Sequence, residues 1–200
     1  TEVLRLQLVA RDIEGENEYD DCGFPTSNAC FDEFEQQSWR ASAEYSCERF
    51  SHELAYSDND TERKHYADNA FSYGSKGALE KWSYLGSFTG SDALRLVYGV
   101  DLQSESLNNE GDKQDRDQDG YYLEYQGNYS DSLFFTGGVR YDDNEDFGSY
   151  TSWRVSGAYL IPLSGGEMKL RGTYGTGFRA PSLYEIAYND GPWAYPPAAG

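Results

Sequence analysis

The sequence predicts an all-β fold, an antiparallel meander of about nine transmembrane strands. Three observations predict it. Apolar and polar residues alternate with a period of two in nine segments, and short and long connections between these segments alternate along the chain. Aromatic residues also make up 16% of a chain that contains 21 glycines. This aromatic content separates the chain from a disordered acidic protein, in which aromatic residues are few.

The first five strands are recognised by side chains that recur at every second position and give each strand one apolar face. The third is the weakest, because His52 lies among its apolar positions. The apolar residues of the five are, in order, Leu4, Leu6, Leu8 and Ala10; Trp39, Ala41, Ala43 and Tyr45; Phe50, Leu54 and Tyr56; Trp82, Tyr84 and Phe88; and Leu94, Leu96, Tyr98, Val100 and Leu102.

The last four strands follow the same rule. Each predicted strand has about 9–12 residues, the length that a tilted strand needs to cross a bilayer. We expect Leu94, Leu96, Tyr125, Val139 and Val155 to contact lipid. The apolar residues of these four strands are Tyr121, Leu123, Tyr125 and Tyr129; Leu133, Phe135, Val139 and Tyr141; Trp153, Val155, Tyr159 and Ile161; and Met168, Leu170, Tyr174 and Phe178.

The connections favour a membrane barrel over a soluble sandwich. Short turns are predicted at 46–49, 89–92, 130–132 and 162–166, and long acidic stretches at 13–37, 59–76, 104–119, 143–149 and from 179 onward. Bacterial outer-membrane barrels have short periplasmic turns and long extracellular loops, whereas a soluble sandwich has no reason to sort its loops by length. The sequence therefore predicts a multi-pass protein of the bacterial outer membrane.

Composition excludes several other classes. With 16 basic and 35 acidic side chains the net charge is −19, which would repel nucleic acid phosphates. No apolar run approaches the roughly 18 residues of a transmembrane helix, and no nucleophile motif such as G-x-S-x-G is present, so we expect no enzyme. Because complete bacterial barrels have even strand numbers, the odd count predicts that residues 1–200 are a fragment of a longer barrel domain.

Three cysteines lie in the first quarter of the chain. Cys22 and Cys30 flank a short polar stretch rich in turn residues, which predicts a disulfide between them and an oxidising compartment. The alternative is a pair of free thiols in an acidic loop. Cys47 is left over and is expected to be a small apolar residue rather than a reactive one.

The stretch 13–37 concentrates negative charge, because it contains eight carboxylates and no Lys or Arg. Such a stretch is either mobile through its own repulsion or held together by hard cations that bind oxygen ligands. A second acidic stretch, Asp115–Gly120, matches the opening of an EF-hand loop, but Gln126 stands where the bidentate Glu is needed. A loosely calcium-binding or merely solvated segment is the better interpretation there.

Two runs in the last third of the chain carry a resemblance to a known family. They are FFTGGVRYDDN at 134–144 and KLRGTYGTGFRAPSLYE at 169–185, of which YGTGFRAPSLYE is the most specific part. They strongly resemble the barrel of TonB-dependent outer-membrane receptors, and the order of strands and acidic loops is most similar to the vitamin B12 (cobalamin) receptor branch. The resemblance implies a barrel of about 22 strands with a plugged lumen, of which this chain supplies a middle portion without the plug domain or the closing strands.

The function that the resemblance implies is active transport across the outer membrane. The parent protein would bind a bulky, scarce nutrient, cobalamin-like or a ferric siderophore, and import it with energy from the TonB complex, which acts through the missing N-terminal part. Its other partner would be outer-membrane lipid. A passive porin-like or structural barrel is the alternative.

The resemblance also implies sites. Arg179, Ser182 and Tyr184, in the extracellular segment after the last strand, are candidate substrate-binding residues; the alternative is structural, with Pro181 setting the direction of the loop. Calcium in extracellular acidic loops of vitamin B12-type receptors points to Asp20, Asp21 and Asp32 as candidate ligands. Basic residues on the polar side of the strands would face the plug and pair with its carboxylates; they are Arg5, Arg11, Arg40, Arg95, Arg140, Arg154, Lys169, Arg171 and Arg179.

Overall fold

The structure, a computed structural model, describes residues 3–20, 22, 28–91 and 93–190. Within these ranges it has nine strands and one short helix, and no helix long and apolar enough to span a membrane. The elements are β1 (Val3–Tyr19), β2 (Cys30–Ser46), β3 (Phe50–Ala67), β4 (Ala70–Ser91), β5 (Leu94–Asn109), β6 (Asp112–Tyr129), β7 (Leu133–Asn144), β8 (Gly148–Leu163), β9 (Gly166–Gly175) and α1 (Leu183–Asp190).

All nine strands form one antiparallel sheet in which each strand pairs with its neighbours in sequence, from β1 to β9. This topology confirms the predicted meander. The register keeps the apolar positions of successive strands opposite one another, so that Leu8 faces Ala41, Ala41 faces Tyr56, Tyr56 faces Trp82 and Trp82 faces Leu102. Because side chains alternate along a strand, the sheet has one mainly apolar and one mainly polar face at this level, and toward the long hairpins the apolar face ends in charged residues such as Asp119, which lies opposite Leu102.

The apolar face is exposed rather than folded into a core. Leu6 and Leu8 are each 73% exposed, and the buried apolar residues in the described part of the chain are few: Cys30, Ala55, Leu107 and Leu183. Rings instead pack side by side across the strands, with centroids 5.0 Å apart for Trp39 and Tyr56. A sheet with such a face requires an apolar environment, and a membrane supplies one.

The strands are longer than predicted, because most of the predicted long loops are themselves paired strand. The stretch 59–76 contains only a two-residue turn at Asp68 and Asn69, and 104–119 contains one at Glu110 and Gly111. All four residues have positive φ, from 53° to 96°, which Asn, Asp and Gly adopt most readily in tight hairpin turns. In the same way β1 extends to Tyr19, so the stretch 13–37 is largely hairpin rather than loop.

A disulfide joins Cys22 and Cys30, the pair predicted from the sequence, and Cys47 is a free thiol. The bond ties the beginning of β2 to the connection between β1 and β2. Among these three cysteines, we expect alkylation of the unreduced parent protein to modify Cys47 alone, and peptide mapping to recover residues 22 and 30 in one cross-linked fragment. Recovery of Cys47 in a cross-linked peptide would contradict this assignment.

Candidate functional site

The polar face carries a series of ion pairs that join different strands. Arg5 pairs with Glu44 at 3.2 Å, Arg154 pairs with Glu124 at 3.3 Å, and Arg40 pairs with Glu53. The sequence analysis assigned the partners of these arginines to a plug. In the structure Arg5 and Arg40 already have carboxylate partners on the adjacent strand, and Arg154 on β8 reaches Glu124 on β6 across Gly138 of β7, because the register places opposite charges close together.

The densest of these groups surrounds Arg140 on β7. Its Nε donates to Asp142 Oδ1 at 2.8 Å and its Nη1 donates to Asp101 Oδ2 at 3.0 Å, while its guanidinium lies 5.6 Å from the ring centroid of Tyr122. Asp142 is only 5% exposed. Gly120 makes this packing possible, because a Cβ there would collide with the Arg140 guanidinium. With Lys81, whose Nζ lies 3.2 Å from Asp101 Oδ1, the cluster is a fixed patch of two cations and two carboxylates on the polar face.

Next to this cluster lies a cleft of about 430 Å³. One wall is the polar face of β5 to β8, and the other is the segment that follows β9. We call residues 176–190 the strap, because they run back from the end of β9 until α1 lies against β5 and β6. The first part of the strap is fixed by Phe178, whose ring stacks on Tyr150 with centroids 4.9 Å apart. Phe178 was predicted to continue the apolar face of β9, but that strand ends at Gly175.

The predicted substrate residues fall in this strap. Arg179 and Ser182 line the cleft, whereas Tyr184 is not among its lining residues and is 52% exposed. The Arg179 Nη2 donates to both oxygens of Glu185, at 3.0 and 2.9 Å. Whether these residues touch a substrate stays a prediction.

Ser182 also has a structural role, as the N-cap of α1. Its Oγ accepts from the Glu185 N–H at 3.2 Å, and its own N–H donates to Glu185 Oε2 at 2.8 Å, which is a reciprocal capping box. The Ser182 N–H, followed by Arg179, holds the pKa of the Glu185 carboxyl below its usual value. The stabilisation that the Glu185 carboxylate gives to the cap is therefore fully present above the usual pKa of Glu. It is lost as the pH falls through the lowered pKa of Glu185.

The predicted calcium ligands are not assembled in the described residues. Asp21 lies outside them, and Asp20 is exposed. Asp32 is paired with His65 on β3. Among the residues that the structure describes, no group of three or more His, Cys, Asp or Glu side chains is arranged to hold a metal ion. The EF-hand-like stretch Asp115–Gly120 is part of β6.

The calcium site stays a prediction, and a protease test decides it. If Asp20, Asp21 and Asp32 bind calcium, millimolar concentrations should slow cleavage between residues 20 and 30 of the full-length parent, since extracellular calcium modules bind at about 10⁻⁴–10⁻³ M. Magnesium serves as the control, because it prefers a smaller octahedral site. Cleavage rates that stay constant up to several millimolar calcium would contradict the prediction.

Sequence reasoning missed part of the sheet side of the cleft. Glu105 and Arg116 become neighbours only because the register of β5 and β6 places them opposite each other. The helix α1 was also missed, although the spacing of Ser182 and Glu185 is a readable capping box. That signal predicts that a helix begins after Ser182, within the stretch that was predicted as a long loop.

Comparison with known proteins gives a consistent result. Residues 10–199 match the family described as TonB dependent receptor-like, beta-barrel. The chain is 30% identical over 192 residues to the vitamin B12 transporter BtuB of Photobacterium profundum, covering 93% of this chain and 30% of that one. It is 29% identical over 169 residues to the BtuB of Vibrio vulnificus, covering 78% of this chain and 27% of that one. The chain thus spans less than a third of the length of these relatives.

Proposed function

The chain belongs to the TonB-dependent receptor β-barrel family, and from this premise we propose that it forms part of the wall of an outer-membrane transport receptor. Residues 1–200 would be a section of a larger barrel whose plug and closing strands lie elsewhere in the parent protein. The apolar face would contact outer-membrane lipid, and the polar face would line the lumen. The parent would bind a bulky, scarce nutrient at the end of the barrel that carries the long hairpins.

The observation that carries this proposal is the sheet itself, with one exposed apolar face, one charged face, and a cleft on the charged face at the long-hairpin end. A water-filled pore needs an open lumen, whereas here the strap covers part of the inner wall. This arrangement supports a receptor over the passive porin-like alternative.

Cobalamin is the substrate that we propose, with a ferric siderophore as the second candidate. The support for cobalamin is the name of the relatives, vitamin B12 transporter, and the extent of this chain that they match. No covalent step is needed. Binding would use hydrogen bonds and ion pairs from residues around the cleft, including Arg179, and the TonB complex would supply the energy through a segment outside residues 1–200.

Uptake by living cells tests this proposal. The full-length parent is expressed in a bacterium that lacks its own cobalamin receptor, and the uptake of labelled cobalamin is followed with and without a protonophore. We expect uptake that saturates and that the protonophore abolishes. Energised uptake of ferric siderophores but not of cobalamin would select the second substrate, and unsaturable uptake that ignores the protonophore would select the porin-like alternative.

A further inference from the structure

Arg116, on β6, is a buried cation at the mouth of the cleft. Its side chain is only 5% exposed, although the residue belongs to an acidic hairpin at the long-hairpin end of the described sheet. Burying a guanidinium is unfavourable unless hydrogen bonds and opposite charges surround it. The contacts that compensate for the burial therefore indicate what this residue does.

These contacts come from three separate segments of the chain. The Nη1 donates to the carbonyl oxygen of Pro181 in the strap at 2.7 Å, and the Nη2 donates to Glu105 Oε2 on β5. Asp146, in the turn between β7 and β8, lies 3.8 Å from Nη1, and the ring centroid of Phe147 in the same turn lies 5.9 Å from the guanidinium carbon. Arg116 thus joins the strap to two hairpins that are far apart in sequence.

The contact with Pro181 lies at the point where the strap becomes α1. Two residues later Leu183 is 3% exposed, while Arg179, on the other side of Pro181, is 77% exposed at the cleft. The hydrogen bond to Pro181 therefore lies between a buried residue of the strap, Leu183, and an exposed one, Arg179. Without it, the strap would be held near the sheet by Leu183, by the Phe178–Tyr150 stack and, at its beginning, by two hydrogen bonds between Thr176 and Trp153.

We infer that Arg116 is a positioning residue that holds the strap over the polar face and thereby builds the outer wall of the cleft. It acts on the ligand through the strap, since it fixes the backbone from which Arg179 and Ser182 project. A strap released from Arg116 leaves the inner wall around Arg140 and Gln118 open, so the cleft loses one of its two sides. The ligand part of this inference rests on the proposed function, but the strap part does not.

The test uses the full-length parent in outer membranes and compares Arg116→Gln, Arg116→Lys and the control Arg5→Gln. Arg5 also forms an ion pair on the polar face, but its side chain is 71% exposed and the described strap does not contact it. The first readout is the rate of trypsin cleavage after Arg179, followed by the appearance of the peptide that begins at Ala180. The second is the affinity for labelled cobalamin without energy, measured beside the maximal rate of energised uptake.

For Arg116→Gln we expect cleavage after Arg179 to accelerate about tenfold or more, because a charge-assisted hydrogen bond to the strap is lost. Cobalamin affinity should fall by a similar factor while the maximal uptake rate changes little. Arg116→Lys should restore part of both effects, and Arg5→Gln should change neither. If Arg116→Gln fails to reach the membrane, Glu105→Gln replaces it, since this change weakens the same junction and leaves Arg116 in place.

Two results would overturn the inference. Unchanged cleavage in Arg116→Gln would show that Arg116 does not hold the strap, and faster cleavage with unchanged affinity would show that the strap does not shape the ligand site. A parent that binds no cobalamin would instead count against the proposed substrate, and the cleavage measurement would still decide whether Arg116 holds the strap.

Discussion

Replacing Arg140 by glutamine should lower the free energy of unfolding of the parent barrel by about 3 kcal/mol, because it leaves the buried Asp142 carboxylate without its cation and removes one of the two cations beside Asp101. Asp142 is the more sensitive of the two, since it is 5% exposed and receives the Arg140 Nε at 2.8 Å. Asp101 keeps a second cation, Lys81, at 3.2 Å. The expected loss of stability lies at the lower end of the range for a broken buried ion pair, because the Arg140 side chain is itself 33% exposed.

Equilibrium unfolding in urea of the full-length parent, folded into bilayers, measures this loss. Arg5→Gln is the matched control, because it removes an ion pair between neighbouring strands that is exposed and should change stability by less than about 1 kcal/mol. Arg140→Lys should fall between the two variants, since an ammonium keeps the charge but not the fork that reaches both carboxylates. Equal losses for Arg140→Gln and Arg5→Gln would contradict the view that this cluster is held as a unit.

Much of the sheet could be predicted from the sequence because the side-chain period of a strand is two and needs no tertiary information. The apolar positions from Leu4 to Tyr174 determine which face of each strand is apolar, and the short turns determine that neighbours in sequence pair. Family motifs such as the run at 174–185 also indicated which family of barrels the chain resembles. Both kinds of evidence are local, and both were confirmed.

The lengths of the strands were harder to predict, because charged residues are poor strand formers on their own. The stretch 59–76 resembles a solvated loop when it is considered alone. In the sheet Glu62 lies 2.9 Å from Lys76 and 3.2 Å from Lys64, so charge that would oppose strand formation is balanced across and along the hairpin. The Lys76 ammonium accordingly holds the pKa of the Glu62 carboxyl below its usual value.

The cleft could not be predicted from local pattern, because its walls come from segments that only the register and the strap bring together. Arg116 stands between aspartates in the sequence, which suggests a partly neutralised acidic loop. Its actual partners, Glu105 and the Pro181 carbonyl, lie 11 and 65 residues away. The capping box that begins α1 could be read in advance, and Arg179 and Ser182 were predicted as site residues, but neither signal indicates where this segment lies against the sheet.

Arginine in place of Val139 should lower the stability of the barrel by about 2–4 kcal/mol, the usual effect of a cation on the lipid side near the bilayer midplane. Val139 lies in the middle of β7 on the apolar face, opposite Leu123 and Trp153 in the adjacent strands. Its side chain is 46% exposed on this face, on the opposite side of the sheet from the carboxylates of the polar face. In a bilayer the new guanidinium would therefore have to stretch toward the interface or draw water inward.

Thr136→Arg is the matched control for this change, because it places the same charge on the same strand but on the polar face. Thr136 lies opposite Gln126, and Glu124 follows two positions away on the same side of β6, so the new cation would have water and a carboxylate near it. We expect urea unfolding in bilayers to show a loss of several kcal/mol for Val139→Arg and less than about 1 kcal/mol for Thr136→Arg. The difference should shrink in the detergent-solubilised protein, where the apolar face meets a thinner and more adaptable layer. Similar losses for the two variants in bilayers would mean that the apolar face does not contact lipid, and the orientation of the sheet in the membrane would have to be reversed.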